Sequence, residues 1–383
     1  MFRKLHLFLS LCHVARAASA TERHASCNTV QHRTARATAP PLACAIADGD
    51  TVVTAARREF AMLNGIAAQR EIRAKDVVPF ECIETAAAAR ELLEGHDAWV
   101  FDCDGVLWSG SLGLLPGSAR LLAELAALGK RVIFVTNNSA RSRQAYAEKF
   151  AQLGLAVKPE QIVPSSFAAA RWLKRNRPSI EAAYVIGEAG VEDELRAVGV
   201  DVVRCAAGAF SEAEFASASA DPRVGAVVVG ADSAFSFAAL AGASLCLEQL
   251  AGCLFVATNA DDYDVVGDRR LPGNGALVAA IQAASGRPPD AVCGKPSADL
   301  AEFLLEEFEL DPARTIVVGD RLDTDIALAH AMGASSLLVL TGVASASDAS
   351  KVRRVQPECP TAVISHVGGL LVALEADDTS AGH

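Results

Sequence analysis

The chain lacks a Cys-x-x-Cys pair, an apolar run long enough to cross a membrane, a surplus of basic residues and a Gly-x-Gly-x-x-Gly turn. Its 10 cysteines (Cys12, Cys27, Cys44, Cys82, Cys103, Cys205, Cys246, Cys253, Cys293 and Cys359) are scattered. That argues against zinc-binding and thioredoxin-like readings. They read instead as reduced, buried small hydrophobes of a reducing compartment. With no spanning run, the mature protein is expected to have no membrane segment. A net charge of −11 argues against nucleic acid as a partner, because phosphate backbones call for clustered Lys and Arg. Local phosphate binding through a metal, a lysine and backbone N–H groups stays open. Without the glycine fingerprint, a dinucleotide-dependent oxidoreductase loses its phosphate cradle.

What is present is a chain of 383 residues, 51% hydrophobic, enough for one large α/β domain and a smaller partner. Residues 1–47 stand apart. Arg3 and Lys4 precede the apolar stretch Leu5 to Val14, and the small-residue sites Ala15-Arg16-Ala17 and Ala18-Ser19-Ala20 follow. The next segment is rich in Arg, His, Thr, Ser and Ala, with Glu22 its one acid. A signal-like stretch followed by a transit-like one predicts a disordered targeting leader. It is similar to the bipartite leaders of algae with secondary plastids and points to a plastid stroma. A mitochondrion, the cytoplasm, secretion or an inert tail are the alternatives.

Residues 48–94 read as a partly helical extension, with a helix over Ile83 to Leu93. Trp99 to Phe101 is a buried strand that stops at Asp102. Leu114 to Leu128 is apolar-periodic and ends at Gly129. Arg131 to Val135 is a second strand, Tyr146 to Leu153 a helix, and Ile162-Val163 a third strand. The rhythm returns at Thr315 to Gly319 and Ser336 to Leu340. This pattern predicts an α/β, Rossmann-like parallel-sheet core. It occupies residues 95–176 and 290–375, with a tail at 376–383. Between its halves, Ala183 to Ile186, Gly225 to Val229 and Cys253 to Ala257 read as strands of an inserted α/β cap over 177–289.

Four short motifs fall at strand ends, where open parallel sheets bind ligands. In Phe101-Asp102-Cys103-Asp104-Gly105-Val106-Leu107-Trp108, Asp102 can attack phosphorus and Asp104 can serve as acid and base. A solvated Asp-x-Asp-Gly turn is the bland alternative. In Val135-Thr136-Asn137-Asn138-Ser139, a hydroxyl and backbone N–H groups can hold phosphate oxygens, although the same residues make a good helix N-cap. In Gly294-Lys295-Pro296-Ser297, a lysine at a helix start opposes the dipole and so implies an anionic partner; otherwise it is a surface lysine. In Gly319-Asp320-Arg321-Leu322-Asp323-Thr324-Asp325, Asp320 suits a Mg²⁺ ligand and Asp325 an outer orienting acid, or the acids simply favour a helix N-terminus. Together the motifs supply a nucleophile, an acid/base, a phosphate clamp and metal acids, the parts that phosphoryl transfer needs.

These motifs resemble the haloacid dehalogenase superfamily, in the branch of phosphoglycolate phosphatase and 4-nitrophenyl phosphatase-like enzymes, from about Asp97 to about Gly342. Ser165 to Ala170, Val185 to Glu188, Gly225 to Gly230 and Phe255 to Asn259 look like the plant-type members. The resemblance implies a C2-type cap and Mg²⁺ on Asp102, the Asp104 carbonyl and Asp320. It also implies phosphate binding by Thr136, Asn137, Asn138 and Lys295, a small-molecule phosphomonoester substrate, and a homodimer through the cap. The chain departs from the pattern where relatives read Thr-Asn-Arg-Asp and it has Thr258-Asn259-Ala260-Asp261. It also has Asp264 where animal pyridoxal phosphatases carry a substrate-contacting His. An acid there disfavours an anionic substrate tail if it faces the site. The expected reaction is 2-phosphoglycolate to glycolate and phosphate. Pyridoxal phosphate, a sugar phosphate or a nucleotide is the runner-up. A catalytically silent scaffold is the alternative from another class.

Overall fold

The computed structural model describes residues 80–110, 113–205, 211–266, 269–353 and 355–374. The leader, most of the extension and the C-terminal tail lie outside the described residues.

In chain order the strands are β1 Glu81–Cys82, β2 Ala98–Phe101, β3 Trp108–Ser109, β4 Gly113–Leu114, β5 Arg131–Thr136 and β6 Ile162–Pro164. Then come β7 Ala182–Ile186, β8 Asp201–Val203, β9 Val224–Val229, β10 Leu254–Ala257, β11 Tyr263–Val266 and β12 Arg269–Pro272. The last four are β13 Ala291–Val292, β14 Thr315–Gly319, β15 Ser335–Val339 and β16 Ala362–Ile364. Seven form one sheet in the order β1-β16-β15-β14-β2-β5-β6, every pairing parallel. A second, five-stranded sheet runs β13-β10-β9-β7-β8, also parallel. Continuous apolar strands such as Ala98-Trp99-Val100-Phe101, buried at every position, are what a sheet covered on both faces demands. The α/β core expected from the strand–helix rhythm is present.

β2 lies between β14 and β5. Asp102, Thr136 and Asp320 therefore emerge side by side at the same edge of the sheet. The Ser165–Asn176 helix buries Ala169, Ala170 and Leu173. One apolar cluster runs from Val100 and Val135 through those residues to Val185 and Val228 of the second sheet.

Several boundaries differ from expectation. The helix foreseen from Leu114 starts at Ser118, because Leu114 pairs with Trp108 in the β3–β4 hairpin and Pro116-Gly117 turns the chain. Gly117 sits at φ +82°, and a Cβ there would come 2.5 Å from Gly368 Cα. That leaves only glycine free of strain and clash. Residues 80–94 are no appendage: β1 is an edge strand of the large sheet, and Leu92 and Leu93 join its core. The second sheet extends to Val292 through β13, beyond the expected boundary at 289. The helix between β14 and β15 opens with a π-helical turn, Leu322–Ile326, before the α-helix Ala327–Met332. Among the described residues, no helix is long and apolar enough to cross a membrane.

Candidate active site

β2 delivers Asp102 to a buried floor. Its N–H donates to Val318 O at 2.8 Å, which fixes the turn, and 8% of the residue is exposed. Lys295 arrives just beyond β13. Its Nζ donates to Asp102 Oδ1 at 2.5 Å, to Asp325 Oδ1 at 2.6 Å and to Val135 O at 3.1 Å. The widened turn after β14 brings Asp325 back over its own loop, where Oδ2 accepts from the Arg321 N–H at 3.1 Å. Asp320 is held by the Val343 N–H on Oδ2 at 2.8 Å. Its walls are glycine: a Cβ on Gly105 would stand 2.6 Å from Asp320 Oδ2, and one on Gly342 would overlap that oxygen.

Ligating oxygens of Asp102, Asp320 and Asp325 all lie within 4.8 Å of one another, and all three residues are buried. One ammonium is too little charge for three such acids. Burial drives the Asp102 pKa well up, against the pull of Lys295 and with added repulsion from Asp325 and Asp320. Burial, then Asp325, likewise pushes Asp320 up to about 7. Burial works against the charge on Lys295, but Asp102 and Asp325 outweigh it and hold its pKa above the usual lysine range. A divalent cation fits this oxygen-only, charge-deficient group. Asp325 spends its two oxygens on Lys295 and Arg321, so it suits an orienting role; Asp102 and Asp320 suit direct ligation.

Around the floor the expected residues divide. Thr136 is buried; its Oγ1 accepts from the Asn138 N–H at 3.1 Å and also pairs with the Tyr146 hydroxyl. The Asn137 side chain points elsewhere. Its Nδ2 donates to Asp261 Oδ1 at 2.9 Å and to Lys295 O at 3.1 Å, while its Oδ1 accepts from the Lys295 N–H at 2.8 Å. The side chain places the Lys295 backbone, so a phosphate role for Asn137 falls to its main chain. Asn138 is exposed, and its Oδ1 accepts from the Ala140 N–H at 3.0 Å, as a turn cap does. Asp104 stands outside the carboxylate group. Its Oδ1 accepts from Trp108 Nε1 at 2.8 Å and lies 3.9 Å from Lys149 Nζ, with 49% of the side chain exposed. Lys149 Nζ also lies 4.0 Å from the centroid of the Trp108 ring.

The sequence reading assigned no role to Trp108, Lys149, Asn274 or Arg321. Asn274 Nδ2 donates to Asn259 O at 2.7 Å, and Asn259 Nδ2 donates to Asn137 O at 2.7 Å. This buried amide chain joins the second sheet to the Thr136 loop. Arg321 was in plain view as a cation among acids. Asp264 is solvent-exposed on β11, yet its carboxyl is affected by Arg321 and Asp104. Burial raises its pKa, Arg321 opposes that and Asp104 adds to it. Its carboxyl thus lies within electrostatic reach of Arg321 and Asp104.

Two family models match the chain: haloacid dehalogenase-like hydrolase over residues 99–201 and HAD-hydrolase-like over residues 292–370. Phosphoglycolate phosphatase 2 of Arabidopsis thaliana is 41% identical over 73% of this chain and 94% of its own. Phosphoglycolate phosphatase 1A, chloroplastic, of the same plant is 40% identical over 72% and 78%. Glycerol-3-phosphate phosphatase of Gallus gallus is 41% identical over 75% and 95%. Among solved structures, a 4-nitrophenylphosphatase from Thermotoga maritima superposes with a TM-score of 0.62 at 28% identity, covering 73% of this chain and 97% of that one. A glycerol phosphate phosphatase from Mycobacterium tuberculosis in complex with magnesium gives 0.61 at 33% identity, covering 73% and 78%. The chain belongs to the haloacid dehalogenase-like hydrolases and is a phosphatase of that family.

Proposed function

We propose that the protein hydrolyses a small phosphomonoester by way of a phosphoryl group carried on Asp102. The observation behind this is the floor itself, where a buried carboxylate at a strand end meets Lys295 at 2.5 Å beside Asp320 and Asp325. An oxygen of Asp102 attacks phosphorus and the ester P–O bond breaks. The leaving oxygen keeps the electron pair and takes the proton of the Asp104 carboxyl. A water then attacks the same phosphorus and gives a proton to Asp104. The bond to Asp102 breaks, inorganic phosphate leaves, and both acids are restored. The Thr136 hydroxyl, the Asn137 N–H and the Lys295 ammonium receive the phosphoryl oxygens. Asp104, steadied through Oδ1 by Trp108, offers its other oxygen to the ester oxygen.

Mg²⁺ fits Asp102, Asp320 and the Asp104 carbonyl, and when bound it would neutralise the phosphoryl charge that one lysine cannot. Retention of this whole set argues against a silent scaffold.

The first candidate substrate is 2-phosphoglycolate, supported by the names of the Arabidopsis relatives and by the transit-like composition of residues 1–47. That composition also supports a plastid location, which import of a leader fusion would test. Glycerol 3-phosphate is the second reading. Asp264, within electrostatic reach of Asp104, favours it, because an acid there repels a carboxylate tail and accepts hydroxyls. A homodimer through the cap belongs to the same proposal, and light scattering decides it. The deciding assay is initial phosphate release from 2-phosphoglycolate, glycerol 3-phosphate and pyridoxal 5′-phosphate, with Mg²⁺ and with chelator. A preference for the first, lost on chelation, supports the leading reading. A preference for the second moves the substrate and keeps the mechanism. No release from any of them sinks the proposal.

A further inference from the structure

Arg321 joins the loop after β14 to the two-stranded β11–β12 hairpin. Its main-chain N–H reaches Asp325, which holds Lys295, which holds Asp102. Its side chain crosses to the separate two-stranded β11–β12 hairpin: Nη1 donates to the Tyr263 carbonyl, at the base of that hairpin, at 3.0 Å. The guanidinium carbon lies 5.4 Å from the centre of the Tyr263 ring, which Arg270 approaches at 4.1 Å. Nε and Nη2 are taken by Asp323 at 3.1 and 2.8 Å. Only 12% of the Arg321 side chain is exposed, against 65% for Asp323. A nearly buried cation is thus spent on a backbone carbonyl 58 positions away in the chain. On the other side of the site, the Asn137–Asp261 bond is a second tether to the same segment. On β11, Asp264 follows directly after Tyr263, the residue that Arg321 tethers.

We propose that Arg321 is a positioning residue: it docks the β11–β12 hairpin on the loop that carries Asp320. It thereby sets how strictly the enzyme chooses among esters by the part beyond the phosphate. The inference rests on the phosphatase reading above. The floor treats every phosphate alike, so discrimination among small esters has to come from groups facing it, and β11 is where the chain places one. A two-stranded ribbon is marginal by itself, and this one exposes Val265, Val266 and Leu271. Its position over the site therefore depends on its tethers. Two bonds that enter from residues next to Thr136 and Asp320 tie that position to the loops that meet phosphate and metal.

The test compares wild type, Arg321→Met and Arg321→Lys on 2-phosphoglycolate, glycerol 3-phosphate, O-phosphoethanolamine and 4-nitrophenyl phosphate. Hydrogen exchange of the β11 and β12 amides is measured in parallel on the metal-free proteins. In Arg321→Met the spread of kcat/KM across the three alkyl esters should shrink about tenfold, mainly through KM, since losing one docking contact is worth about one decade. The hairpin amides should exchange faster, and Arg321→Lys should recover part of both effects. Equal losses on all four esters, no spread in the wild type, or hairpin exchange matching the wild type would overturn the inference. If Arg321→Met does not fold, Arg321→Lys and Tyr263→Ala carry the same comparison. A wild type inactive on all four esters counts against the function proposed above, and the exchange measurement still decides whether Arg321 holds the hairpin.

Discussion

Two sets of charges meet in this site under opposite physics. On the floor, Asp102, Lys295, Asp320 and Asp325 are each at most 8% exposed. At the rim, Asp104 and Asp323 have side chains 49% and 65% exposed, and Asp264 is exposed as well. A buried charge without its partner costs several kcal/mol, so each floor residue constrains the others. A rim charge is screened by water and costs little to exchange. The comparison teaches that the buried floor is locked as a unit, while the exposed rim can change one residue at a time. Ala260 and Asp264, where this chain departs from the family pattern, both belong to the rim segment.

The largest blow to that contrast is Asp102→Asn. Turnover should fall roughly 10⁴-fold or more, because the attacking oxygen is gone. The metal-free fold should stay intact and gain stability, because a repelled buried charge is also gone. Phosphate release near the wild-type rate would sink the assignment of the nucleophile. The floor should next show itself in pH dependence without metal. Asp320 is raised from 3.8 to about 7, chiefly by burial, so the folded state favours its protonated form. That stability is complete below pH 3.8 and is lost as pH rises through about 7. The metal-free melting temperature should therefore drop across that window by several degrees, and Mg²⁺ at pH 8 should restore it. A flat profile would show that the floor charges are already balanced.

The rim should respond more gently. Trp108→Phe removes the indole donor that holds Asp104 and should lower kcat/KM for an alkyl ester about tenfold. It should lower that for 4-nitrophenyl phosphate less, since that leaving group needs no proton. Equal losses on both would mean that Trp108 matters only for packing against Phe150, whose ring centre lies 4.9 Å away. The smallest effect belongs to Asp264→Asn, which should raise the ratio of 2-phosphoglycolate to glycerol 3-phosphate turnover by about threefold, the scale of one screened charge. A ratio that does not move would place Asp264 out of reach of the substrate tail.

Most of the core was legible. Trp99 to Phe101, Val132 to Val135 and Ile316 to Gly319 are unbroken apolar runs closed by polar residues, and each lies in a strand that ends at the site. Local pattern misled at Leu114-Leu115, whose apolar character suited a helix as well as the β3–β4 hairpin. It also misled at residues 80–94, whose edge strand gains its partner only from Ala362–Ile364 at the far end of the chain. The hold of the Asn137 amide on Lys295 and Asp261 was not legible, because both partners lie far along the chain. Arg321 showed locally only as a cation among acids, since its contact is a carbonyl on the distant β11–β12 hairpin.

The sequence by itself determined the chemistry. The spacing of Asp102 and Asp104 after an apolar strand, Lys295 before a helix and Asp320 after another strand name a phosphoryl-transfer kit, because strand periodicity and residue type are local properties. Only the tertiary structure decided which of those groups touch. It gathered Asp102, Lys295 and Asp325 on the floor, left Asp104 at the rim on Trp108, turned Asn137 toward the second sheet and set Arg321 across the mouth. Those choices depend on strand order and on which donors and acceptors burial leaves to be paired, and neither is written in any single stretch of the chain.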